Sequence, residues 1–223
     1  MKYSLSELHS LPLFLGMGKG ELEDLHEHIT LLHKRIKRRF VVVEENEPCN
    51  KIIIIMQGSF HVKTVSDDHS YSVTELLHAP YVIQPERIFG LTQRYSSTIV
   101  TQTPCEMMII EKQMVMKLME ISLTFRINML NILATKCQRM GRVVWQKETE
   151  SIEKRLVKFF TTHVVHPAGS KQFHVKMNDL AREIGCSRLE ISQALHVLEE
   201  KNLIRMQRGI IEVPVLQQLI MEK

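Results

Sequence analysis

The residues best placed to do chemistry lie in one short run, Glu183 to His196, which reads EIGCSRLEISQALH. Arg188, Ser192, Gln193 and His196 fall on one outward face if the run after Gly185 is helical. The arginine fork can pair bidentately with O6 and N7 of guanine, and a glutamine suits the N6/N7 edge of adenine. An exposed helix start also presents backbone amides that can meet a phosphate. Ser187 and Glu190 admit a second reading, because Ser-Arg-Leu-Glu fits the S-x-x-E capping box and needs no ligand to explain it. Each of the outward residues taken alone is also an ordinary solvated polar side chain. Their shared face beside a glycine turn is what favours base recognition. Lys176, Arg205, Gln207 and Arg208 flank the run and would reach backbone phosphates, giving affinity without sequence information, and Asn178 is a further expected DNA contact.

Such a face needs a scaffold. Leu180, Ile184, Ile191, Leu195 and Leu198 supply the apolar contacts of two short helices, about 178–184 and 187–201. Gly185 stands where the first must end, since glycine tolerates the left-handed backbone common there. A helix over 151–164, a short strand QFHV and two strands around a basic turn in LIRMQRGIIEV complete a winged helix-turn-helix. Residues 151–223 carry 11 Lys+Arg against 8 Asp+Glu, so they hold +3 of the chain's net +4.

Upstream the patterns differ. Leu22, Leu25, Ile29 and Leu32 have helical spacing, so residues 5–33 read as short helices. β-branched runs then mark strands at 40–43, 51–56, 59–65 and 71–77, followed by STIVTQ and CEMMIIE. Seven or eight short strands imply a sandwich, jelly roll or barrel. From Lys112 to Lys147 there is no proline and only Gly141, which predicts one helix of roughly 45–50 Å. Leu118, Ile121, Phe125, Met129, Ile132, Met140 and Val143 form its apolar stripe, for which a second copy of the chain is the simplest expected partner; packing on its own β domain is the alternative. The expected domains are 1–111, 112–147 and 148–223.

Composition excludes several classes. The 223 residues are 44% hydrophobic and 24% charged, enough to bury a core. No run of about 18 apolar residues predicts a membrane span, and the start of the chain lacks signal-peptide features, so a cytoplasmic location is expected. Cys49, Cys105, Cys137 and Cys186 are widely spaced with no CxxC pair, which favours free thiols over a metal site, with redox activity of one thiol left open. No nucleophile–base set or Gly-rich phosphate loop is present, so no enzyme, metal or cofactor is expected. The competing reading is a ligand-sensing module whose helix-turn-helix contacts protein.

LAREIGCSRLEISQALHVLEEKNLI resembles the helix-turn-helix signature of the CRP/FNR superfamily of bacterial transcription regulators, and IIIIMQGSFHV is similar to its strand–Gly–strand. The resemblance runs from about Gly20 to Val213. It implies an α+β chain: an N-terminal cyclic-nucleotide-binding-like β-roll (jelly roll), a long dimerisation helix and a C-terminal winged helix-turn-helix. It further implies a homodimer on a roughly palindromic operator, with RNA polymerase as a candidate partner. The phosphate cassette of nucleotide-binding members departs here. In HAPYVIQPERIFGLTQRYSSTIVTQ, Glu86 follows proline, and Ser96 stands where arginine precedes the Ser97-Thr98 pair, with Arg94 displaced. Ile83, Ile88, Phe89, Arg94, Ser97 and Thr98 are therefore expected to line a degenerate pocket, the apolar three filling it. HAPYVIQPERIFGL resembles a divergent IprA-like branch without a nucleotide effector, so an effector-independent regulator is expected, with an unidentified β-roll ligand as the alternative. Leu189 and Gln193 replace glutamate and arginine of cyclic-AMP-receptor-like members, which predicts a different half-site.

Overall fold

The computed structural model describes residues 8–28, 31–144 and 151–221, and side chains except those of 26–28 and 140–144. The chain forms two compact units: residues 1–60 with 78–144, and residues 61–77 with 145–223. Thus the second unit is not the contiguous segment expected from the sequence. It includes a hairpin borrowed from the β-rich part.

In the first unit, helix α1 (Lys19–His28) precedes strands β1 (Leu32–Ile36), β2 (Val41–Val43) and β3 (Lys51–Gln57). Later come β6 (Tyr81–Ile83), β7 (Thr98–Thr101) and β8 (Cys105–Glu111). A four-stranded sheet runs in the order β1-β8-β3-β6, and β2 pairs antiparallel with β7. The result is the jelly-roll-like layer arrangement of an α+β chain. Ile52, Ile54, Ile55, Met108 and Ile110 are buried along the central strands, as expected for strands covered on both faces. Leu32 is not helical: it starts β1 opposite Ile109. Between β3 and strand β4 (Ser59–Val65), Gly58 has φ +102°, and a Cβ there would lie 2.7 Å from both Cys105 Sγ and the Pro104 carbonyl. Only glycine fits this turn.

The predicted single long helix is two. Helix α2 (Lys112–Ile121) ends at Ser122, whose φ −116° and ψ 114° are extended, and α3 (Leu123–Val144) begins after it. Ser122 acts as a cap: its hydroxyl accepts from Phe125 N at 3.1 Å and donates to Glu21 at 2.6 Å. At about 1.5 Å per residue α3 spans roughly 33 Å. The face assigned to the dimer also changes. Leu118, Phe125 and Met129 are fully buried within their own unit, where Phe125 meets Phe14 edge-on at 5.7 Å. Ile132 is half-buried, Ile121 is exposed, and the side chains of Met140 and Val143 lie outside the described set. Exposed instead are Leu123, Ile127, Leu130, Ala134 and Cys137, at spacing 4, 3, 4 and 3. That is a heptad seam.

The second unit holds α4 (Ile152–Thr162), β9 (Lys171–Val175), α5 (Met177–Ile184), α6 (Arg188–Glu200), β10 (Arg205–Gln207), β11 (Ile210–Val213) and α7 (Leu216–Met221). Its sheet runs β10-β11-β9 and then continues into β5 (Tyr71–His78) and β4. Tyr71 to Glu75 pair in register with Val175 to Lys171. Val73 enters the same core as Phe160, Phe173, Leu180 and Leu195. Tyr71 packs edge-on against Phe159 and His163, and burial pushes its phenol up to about 12. Glu75 and Lys171, 1% and 0% exposed, form an ion pair at 3.0 Å. Glu75 also accepts the backbone N–H groups of Val165 and His166, and Lys171 donates to the Ala168 carbonyl at 2.8 Å. Both Glu75 oxygens and two of the three Lys171 N–H groups thus have partners.

Candidate nucleic-acid interface

The predicted helix-turn-helix forms as read. Gly185 ends α5 with φ +73°, its N–H and that of Cys186 both bonding to the Ala181 carbonyl. Arg155 of α4 fastens this turn by donating to the Ile184 carbonyl at 2.9 Å. Ser187 caps α6, and the capping box closes: Glu190 N donates to Ser187 Oγ, and Glu190 accepts from Ser187 N at 2.8 Å. These bonds from Ser187 hold the Glu190 carboxyl below the usual range. Both residues are thereby committed to the helix start, so the structure explains them without DNA.

Ile191, Ala194, Leu195 and Leu198 bury one face of α6. Gln193 and His196 are exposed on the opposite face, Ser192 is half-buried, and Arg188 and Leu189 are exposed in the first turn. His196 lies 3.7 Å from Glu199. Glu199 also accepts Met206 N at 2.7 Å, which ties β10 to the end of α6. Sequence reasoning missed this tie and Arg155, since both act across a turn rather than within a motif.

A cleft of about 640 Å³ opens between the start of α6, the start of α5 and the β10–β11 turn. Lys176, Asn178, Arg188, Gln207 and Arg208 line it, with Gly209 at the turn (φ +74°). Five of the predicted residues therefore share one concave basic surface. Arg205 is exposed on β10 and does not line it. Met177 and Met206, not singled out in the sequence, supply part of its apolar wall.

The predicted effector residues lie in the first unit. Ile83 and Ile88 are completely buried, and Lys112 sits over the Phe89 ring at 5.1 Å. Arg94 donates to the Asn46 carbonyl at 2.6 Å, Ser97 is buried, and the Thr98 hydroxyl accepts from Glu45 N at 3.1 Å. The Gln84 carboxamide, buried on a left-handed residue (φ +36°), accepts the Ser96 N–H at 2.8 Å. Glu86 forms an ion pair with Lys136 of α3. Burial raises the thiol pKa of Cys49, Cys105 and Cys186, which keeps them protonated; Cys137 is exposed. Among the described residues no helix is long and apolar enough to cross a membrane.

Residues 33–122 match the family model described as cyclic nucleotide-binding domain. No curated protein matches the chain. Among solved structures, the chain is similar to a regulator assigned to the crp/fnr family from Eubacterium rectale, at 15% identity and TM-score 0.51, covering 95% of this chain and 97% of that one. It is also similar to the Thermus thermophilus catabolite activator protein, at 17% identity and TM-score 0.49, over 94% and 96% of the two chains. The match to DNR from Pseudomonas aeruginosa covers 100% of both at 13% identity and TM-score 0.47. Residues 33–122 thus match the cyclic nucleotide-binding domain model, and the chain shares the fold of the Eubacterium rectale regulator assigned to the crp/fnr family.

Proposed function

We propose that the chain is a homodimeric, sequence-specific DNA-binding transcription regulator with no catalytic activity. The observation that carries this reading is the capped helix α6, whose outward polar face borders a basic cleft shared with the wing. Arg188 and Gln193 read base edges, while Lys176, Arg205 and Arg208 meet phosphates. The Eubacterium rectale regulator that shares the fold points the same way, and RNA polymerase is then a natural further partner in a cytoplasmic setting.

The test is selection of operators from a random DNA library by the full chain, with and without cyclic AMP. One roughly palindromic site is expected in both arms, its half-sites about one helical turn apart. Arg188→Ala should cost about 1–3 kcal/mol of binding to that site. Equal binding by the variant would remove Arg188 from the reading helix. No enrichment in either arm would favour a module that contacts protein. Enrichment only with the nucleotide would refute effector independence. That part of the proposal is supported by two ties: Gln84 already holds the Ser96 N–H, and Lys136 already holds Glu86.

Dimerisation is supported by the exposed seam on α3. Leu123, Ile127 and Leu130 leave an apolar stripe in water, and a symmetric copy would cover it. Ile127→Asp places like charges across such a seam. It should give monomers in sedimentation velocity where the wild type gives dimers, since about 2–5 kcal/mol follows loss of a buried aliphatic. Oxidative cross-linking through the exposed Cys137, two seam positions beyond Leu130, checks the same pairing independently. A wild-type monomer at micromolar concentration would overturn it.

A further inference from the structure

We propose that Leu189 reads the 5-methyl group of a thymine in the operator, and so sets base preference beside Gln193. The inference rests on the DNA-binding reading above and deepens it. The four buried residues of α6, Ile191, Ala194, Leu195 and Leu198, fix which way the helix faces. At about 100° per residue, the direction opposite their centre is occupied by Leu189, Gln193, His196 and Glu200, at spacing 4, 3 and 4. All four are exposed. Leu189 is the first of the four in the chain, one residue past the start of the helix, where recognition helices place their base-contacting residues. It is also the apolar member of that line, with 69% of its surface in water.

An aliphatic side chain can neither donate nor accept a hydrogen bond. In the major groove thymine alone offers it a matching group, the C5 methyl. The adjacent acidic residue cannot substitute as reader, because the Glu190 carboxylate is bonded to Ser187 N at 2.8 Å. Gln193 lies one turn further along the same line, so its amide would address the adjoining base pair. Together the two residues specify a short A/T-containing element within each half-site. A single isolated exposed leucine on a protein surface has no special meaning. The assignment here comes from its position: centred on the face opposite the core and beside the basic cleft.

The experiment uses the full chain and the operator it selects. Each thymine of the half-site is replaced in turn by deoxyuridine, which lacks only the methyl. For wild-type protein one position should respond, with affinity falling roughly four-fold when one half-site is changed and roughly fifteen-fold when both are, from about 0.8 kcal/mol per methyl-sized contact. Leu189→Ser should bind thymine and uracil operators equally at that position, while Gln193→Ala should keep the wild-type sensitivity. Insensitivity of the wild type at every thymine would overturn the proposal with DNA binding intact. So would an unchanged uracil effect in Leu189→Ser, which would assign the methyl to another residue. Failure to select any operator would instead sink the DNA-binding reading itself, and this inference with it. Because Leu189 is exposed, the serine variant should fold as the wild type does.

Discussion

Glu75→Ala should destabilise the C-terminal unit by about 3–5 kcal/mol in urea unfolding at pH 7, because it leaves Lys171 charged and fully enclosed. The loss has two parts. Lys171 retains only the Ala168 carbonyl, and the Val165 and His166 N–H groups lose their acceptor. The double variant Glu75→Gln/Lys171→Met should recover more than half of the loss. Glutamine keeps an oxygen for the two backbone donors, and methionine removes the stranded charge at similar volume. Recovery by the second substitution is the diagnostic result, since simple damage to β5 would add rather than cancel. A Glu75→Ala loss below about 1 kcal/mol would mean that water reaches the pair in solution. The site lies in the β5–β9 pairing and outside the cleft lining, so the Gln/Met protein should still select the wild-type operator.

Operator affinity should fall roughly 10³-fold between 50 and 200 mM salt. On the proposed reading three cations per protomer, Lys176, Arg205 and Arg208, meet phosphates, making six in a dimer. Six neutralised phosphates give a slope near −5 in log affinity against log salt. Fluorescence anisotropy with the selected operator measures it. Arg208→Ala should flatten the slope by about two, one counterion per protomer, and weaken binding to all sequences alike. Arg188→Ala should chiefly narrow the gap between operator and random DNA. A slope near zero for the wild type would be incompatible with the basic cleft lying on a DNA backbone.

The parts of this molecule that were legible in the sequence are those held by local physics. β4 and β8 fall on the residues read, and the S-x-x-E box closes as written, because pleat alternation and capping are decided within a few positions. The break at Ser122 was not read, since neither glycine nor proline marks it; a serine and its bond to Glu21, about a hundred residues earlier, do the work. Three residues of the expected dimer stripe, Leu118, Phe125 and Met129, are buried in their own unit. Two apolar faces exist on α3, and periodicity alone cannot say which packs within its own unit, as Phe125 does on Phe14. Strand β1, LHKRI, alternates poorly and follows a helical pattern that runs into it. In the candidate interface the proposed readers and phosphate contacts are recognisable by residue type. The Arg155 and Glu199 ties that aim them were not, because each joins elements separated by a turn.

The hairpin at residues 61–77 has a consequence for biosynthesis. Strand β5 is made about a hundred residues before β9, the strand that completes its pairing. On the ribosome it must wait as an open sheet edge, with Val73 and Glu75 lacking the core and the lysine that later enclose them. The first unit has all of its residues once 144 have been made, but the second does not. The second unit can be finished only when two distant stretches of the message have both been translated, and a fragment beginning after α3 would lack Val73 from its core.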